Sequence, residues 1–149
     1  MTRAALVTHE FVNHVPDRLK EGVVYVSIPY ATVVHSCCCG CGKEVVTPLS
    51  PTDWQLTFDG ESISLTPSIG NWSFDCQSHY WIRRNKVSWA RRWSQEEIET
   101  GRARDRKAKD QYYDTVSRVA HDSTASRRRS VGIRSPWDLL KKLRRRRRK

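Results

Sequence analysis

Short apolar runs of five or six residues, separated by turn-forming residues, fill the chain from about residue 44 to residue 90. They lie at 44–49, 54–58, 62–66, 72–76, 79–83 and 86–90, and the breaks between them carry Ser-Pro, Asp-Gly, Ile-Gly-Asn and Arg-Asn turn signals. Upstream, residues 23–34 are dense in β-branched and aromatic types and predict one strand, with Pro29 suited to an edge or a bulge. Asp59-Gly60, flanked by residues 55–58 and 61–65, is a strong hairpin signal. The pattern predicts a mainly β fold: a small antiparallel domain over residues 8–92.

The periodicity changes at Trp93. Ser94 with Glu97 three residues on forms a capping box, and Glu96, Glu97 and Glu99 complement a helix dipole. A charged helix is expected over 93–121, with Gly101 as a weak point and Ile98, Tyr112, Tyr113, Val116 and Val119 as its apolar positions. Residues 122–135 are rich in Ser, Thr and Arg without periodicity and read as disordered. Pro136 then opens a short helix at 136–143, before the Arg144–Lys149 run. Residues 122–149 are thus expected to be a basic, largely disordered tail.

Charge supports that division. Of the 149 residues, 1–82 carry four Lys or Arg against eight Asp or Glu, and 83–149 carry 23 against eight, so +11 divides into −4 and +15. Such asymmetry is the mark of a folded domain with a basic arm. Glu10, His14, Asp17 and Glu21 interrupt residues 1–31, which match neither a signal peptide nor a membrane span, and a cytoplasmic location is expected. In a reducing compartment, five cysteines are metal ligands or a reactive site in preference to disulfides.

Four of the cysteines fall within Cys37–Cys41. Cys38 and Cys41 make a Cys-x-x-Cys pair, and Cys76 and His79 make a Cys-x-x-His pair, with 34 residues between the two pairs. Two short-spaced pairs supply the soft tetrahedral ligands of a structural Zn2+ site. Cys37, Cys39 and Cys41 form an alternating set that could close with Cys76 instead, and the residues alone leave both registers open. Gly40 and Gly42 suit a backbone that bends around a metal.

The stretches 33–42, 46–54, 67–76 and 78–82 resemble the bacterial domain of unknown function family 6527. The resemblance covers about residues 8–92 and leaves the basic tail outside. It implies a place beside bacterial ubiquitin-like conjugation genes, where a member in Bub-type operons acts as a deubiquitinase-like serine peptidase. It also favours Cys37, Cys39, Cys41 and Cys76 as the zinc ligands, with Cys38 and His79 as alternates, and leaves His79 free for chemistry.

A serine peptidase needs a hydroxyl, a base within hydrogen-bond reach and donors for the oxyanion. Ser68, expected on a tight turn before Ile69-Gly70-Asn71, is the candidate nucleophile and His79 the candidate base. Gly70 or Asn71 are possible N–H donors. Ser73 and Ser78 are rival nucleophiles, His35 is a rival base, and Asp53 or Asp75 could orient the imidazole. Trp54, Trp72, Trp81 and Trp89 line a peptide groove or fill the core.

Two functions follow from these expectations. The first is a zinc-stabilised peptidase that processes or removes a bacterial ubiquitin-like protein. The second is a non-catalytic zinc-binding module whose arginines, Arg127–Arg129 and Arg144–Lys149, contact nucleic acid without sequence preference or tether the protein.

Overall fold

The computed structural model describes the backbone of residues 2–130 and the side chains of residues 2–121. The chain divides into two units, residues 1–106 and 107–149. In the first, eight strands form two four-stranded sheets. One holds β1 (Thr8–Phe11), β2 (Val23–Ser27), β3 (Thr32–Ser36) and β4 (Glu44–Pro48) in that order, and the other holds β5 (Gln55–Phe58), β6 (Ile63–Gly70), β7 (His79–Arg83) and β8 (Lys86–Trp89). β1 and β2 are parallel; the other neighbours are antiparallel. The expected mainly β, antiparallel-rich core with a following helix is what the chain forms.

Period-two patterning decides the faces. In β4, Val45 and Thr47 turn inward while Glu44, Val46 and Pro48 remain exposed. Val24, Val26, Val33 and Val45 from one sheet join Ile63, Leu65, Ile69, Tyr80, Ile82 and Val87 from the other in one apolar cluster. Full burial of each aliphatic side chain is worth about 1.5–3 kcal/mol, so this cluster is the main source of stability. Residues 4–7 run beside β8, with Val7 N–H donating to the Asn85 carbonyl and Val87 N–H to the Ala5 carbonyl, both at 2.9 Å. Ala4 N–H reaches the Cys38 carbonyl at 2.8 Å and ties this segment to the cysteine loop.

Three local expectations need correction. Residues 23–34 form two strands, because Pro29 falls in a tight reversal closed by Ala31 N–H on the Ile28 carbonyl at 3.0 Å. Residues 72–76 form successive turns, with Phe74 N–H on Asn71 and Gln77 N–H on Phe74. The preceding strand runs on to Gly70, so Ser68 lies within β6 and not on a turn. The Asp59-Gly60 hairpin forms as expected, with Gly60 at φ 99° and Asp59 Oδ1 accepting from the Ser62 N–H at 2.7 Å and the Glu61 N–H at 3.1 Å.

α1 spans Gln95–Ser130 and begins in the expected capping box: Glu97 N–H donates to Ser94 Oγ at 3.2 Å, and Ser94 N–H to Glu97 Oε2 at 2.8 Å. It outlasts the expected boundary at residue 121, and its backbone covers 122–130 where an irregular chain was expected. Neither Gly nor Pro occurs between 102 and 131 to stop it. Tyr112, Tyr113, Val116 and Val119 are exposed. The rest of the expected tail, with its helix at 136–143 and Arg144–Lys149, lies outside the described residues. No helix among the described residues is long and apolar enough to cross a membrane.

Candidate active site and thiol cluster

β6 and β7 bring Ser68 and His79 together. Leu65 pairs with Ile82 and Ile69 with Tyr80, so β6 spends four residue steps where β7 spends two. The extra residues make a bulge containing Thr66, Pro67 and Ser68, with a cis Thr66–Pro67 bond. A bulge re-aims the side chains it carries. Ser68 Oγ lies 3.0 Å from His79 Nε2.

The other imidazole nitrogen defines the tautomer. His79 Nδ1 is 3.0 Å from the Arg91 carbonyl oxygen. A carbonyl can only accept, so Nδ1 carries the proton and Nε2 offers its lone pair to the Ser68 hydroxyl. The orienting group is thus a backbone carbonyl and not the expected carboxylate. Asp53 accepts from Ser50 Oγ at 2.6 Å, and Asp75 pairs with Lys43 at 3.0 Å. The Asn71 N–H, considered as an oxyanion donor, is engaged by the Ser78 carbonyl at 2.9 Å.

Indole rings surround the imidazole. Ring centroids of Trp72, Trp93 and Trp81 lie 5.0, 5.1 and 5.4 Å from that of His79, and Trp72 stacks on Trp93 at 5.4 Å with planes 19° apart. Only 4% of His79 is exposed, whereas Ser68 is half-buried and reachable. Trp72 lies so close to Gly70 that a Cβ there would sit 2.5 Å from the indole.

The rivals stand elsewhere. Ser73 is exposed on the turn. Ser78 is buried, 3.1 Å from Cys37 Sγ, and accepts from Asn71 Nδ2 at 2.9 Å. His35 is a core residue whose Nε2 meets the Tyr80 hydroxyl at 2.8 Å, and burial pushes its pKa down to about 4.

The sulfurs of Cys37, Cys39, Cys41 and Cys76 all lie within 4.8 Å of one another and could hold a metal ion. Cys37 to Cys39 measures 3.4 Å and Cys41 to Cys76 measures 3.7 Å. Four sulfurs ligating one zinc at about 2.3 Å stand about 3.8 Å apart, so the donor type and the spacing both fit. Gly40 and Gly42, at φ 79° and 72°, make the loop's left-handed bends. Cys38 turns into the apolar cluster, where burial pushes its thiol up to about 11. With its ring nitrogens on Ser68 and Arg91, His79 also stands outside the sulfur group. Burial pushes Cys37 and Cys39 up; at Cys76 burial acts the same way but is outweighed by the Ser78 hydroxyl and N–H, and the thiol falls to about 7.

Sequence reasoning missed Arg91 and Trp93. A backbone carbonyl leaves no mark on residue type. Trp93 had a usable signal: an apolar residue just before the Ser94 cap, with Ile98 at the fourth helical position, is the hydrophobic-staple pattern.

No curated protein and no solved structure matches the chain. The family model described as bacterial ubiquitination-like system serine protease (BubE) matches residues 11–90, a span that holds Ser68, His79 and all five cysteines. That match covers more than half of the chain, which therefore belongs to the BubE family of serine proteases.

Proposed function

We propose that the protein is a serine peptidase that cuts after the C-terminus of a bacterial ubiquitin-like protein, trimming its precursor or releasing it from conjugates in the cytoplasm. The observation that carries the reading is the Ser68–His79–Arg91 chain of two 3.0 Å contacts in a member of this family. Ser68 Oγ attacks the scissile carbonyl carbon while His79 Nε2 takes its proton. The resulting imidazolium is steadied by the Arg91 carbonyl, which accepts from Nδ1–H throughout. His79 returns the proton to the leaving amine as the C–N bond breaks, which leaves an acyl ester on Ser68. Water, deprotonated by the same nitrogen, attacks the ester; the protonated imidazole restores the Ser68 hydroxyl, and a carboxylate departs.

A neutral carbonyl steadies an imidazolium less than a carboxylate does. With that weaker support, the base needs its tautomer and position held firmly. Cys37, Cys39, Cys41 and Cys76 would hold zinc as a closed structural site, supplying folding energy and tying the 37–41 loop to a position three residues before His79.

The test is cleavage of a cognate ubiquitin-like protein fused through its C-terminus to a reporter. Ser68→Ala and His79→Ala are each expected to lower kcat by about 10⁴-fold or more, and the double variant to be little worse. Zinc content and fold should persist in both. Normal cleavage by Ser68→Ala would refute the assignment, and loss of zinc in His79→Ala would make His79 structural.

A further inference from the structure

The carbonyl that orients His79 is part of a linked arrangement between β8 and the start of α1. Ala90 N–H donates to the His79 carbonyl at 2.9 Å, so the backbone just after β8 lies against His79 itself. One residue on, the Arg91 carbonyl meets His79 Nδ1. The Arg91 side chain turns the other way: Nη1 donates to Glu97 Oε2 at 2.9 Å and Nη2 to Glu97 Oε1, a two-pronged pair. Glu97 Oε2 also accepts the Ser94 N–H at 2.8 Å, and Ser94 Oγ accepts the Glu97 N–H. One carboxylate thus holds both the first turn of α1 and the residue whose carbonyl faces the imidazole. Between them, Trp93 lies edge-on to His79, and Gly101 leaves room for its ring, since a Cβ there would be 3.1 Å away.

We propose that Glu97 is a positioning residue for the reaction: its two-pronged pair with Arg91 holds the Arg91 carbonyl on His79 Nδ1 and so keeps Nε2 unprotonated and facing Ser68. This rests on reading Ser68 and His79 as nucleophile and base. Without the clamp, the Ala90 N–H on the His79 carbonyl and the Arg92 Nε on Gln77 Oε1 at 2.7 Å still flank Arg91, but neither fixes the direction of its carbonyl, which can turn from hydrogen-bond range. The imidazole then divides between its two neutral tautomers, and the form with Nε2 protonated cannot take the Ser68 proton. Because the pair is exposed, its effect is modest. Its bidentate form and shared cap raise it above an isolated surface ion pair.

The full-length chain tests this directly. In Glu97→Gln, the amide oxygen can still accept the Ser94 N–H, so the cap survives while the charged clamp is lost; Arg91→Ala removes the other half and keeps the carbonyl. Nitrogen NMR of the imidazole of His79 is expected to show Nδ1–H dominant in the wild type and a measurable Nε2–H population in both variants. Cleavage of the ubiquitin-like fusion should show kcat down about fivefold with KM unchanged in each, and no further loss in the double variant. A purely structural role would lower the unfolding midpoint but leave the tautomer ratio and kcat of the folded protein untouched. If Glu97→Gln keeps the wild-type tautomer and kcat while Ser68→Ala is inactive, the positioning role is refuted and the catalytic pair stands. If Ser68→Ala cleaves normally, the catalytic reading falls and the positioning role with it.

Discussion

Replacing Gly70 with alanine places a methyl carbon 2.5 Å from Cε2 and Nε1 of Trp72 and 2.7 Å from its Cζ2. Carbon contacts settle at about 3.5–4.0 Å, so the indole must retreat by about 1 Å. It is not free to do so without loss, because it stacks on Trp93 at 5.4 Å and lies 5.0 Å from His79. Overpacking of this kind costs about 1–3 kcal/mol. Trp72 is only half-buried and can relax toward solvent, so the lower part of that range, about 1–1.5 kcal/mol, applies. For a domain of about a hundred residues that lowers Tm by about 4–10 °C. Thermal unfolding of the full chain, followed by near-ultraviolet circular dichroism, measures both the shift and the altered indole packing. Cleavage of the ubiquitin-like fusion should slow several-fold as the ring leaves His79. In a Trp72→Ala background the same Gly70→Ala change should cost almost nothing, since the clash is gone. A wild-type Tm and spectrum for Gly70→Ala alone would refute the claim that Trp72 requires glycine at this position.

The thiol set and the tail give further tests. Cys76→Ser is expected to abolish the binding of about one zinc per chain and unfold the domain, whereas Cys38→Ser retains the metal because its sulfur lies outside the group; metal analysis under reducing, chelator-free conditions decides. Hydrogen bonds from the Ser62 N–H and hydroxyl and the Glu61 N–H hold Asp59 down to about 2. With the folded pKa below the unfolded value near 4, its stabilisation is present above that pH and lost as pH falls toward 2, so Asp59→Asn should flatten the acid limb of an unfolding curve. Truncation after Asp122 removes Arg127–Arg129 and Arg144–Lys149; zinc content and cleavage should hold while any salt-sensitive binding of DNA or RNA by the full chain weakens, and equal binding by the truncated chain would show that the tail is not the footprint.

Several features were legible in the residues because their causes are local. The apolar run at 44–49, the Asp59-Gly60 turn and the Ser94–Glu97 box each depend on near neighbours in the chain, and each forms as the pattern requires. The spacing of Cys37, Cys39, Cys41 and Cys76 placed four soft donors within reach of one ion, although a competing register through Cys38 and His79 was equally consistent with it. Only the folded loop separates the two sets: the bends at Gly40 and Gly42 group three sulfurs with Cys76 and send Cys38 into the core. The strand boundaries around Ser68 are not legible in the residues because a run of turn-forming residues can equally be a bulge in a longer strand, and the pairing partner on β7 decides which. His79 was visible as a residue type, but the acceptor on its Nδ1 was not. Any of the chain's carbonyls could have met His79 Nδ1, and the one from Arg91 does so because β8 and the start of α1 carry it there; a backbone acceptor has no residue identity, so only tertiary structure could choose it.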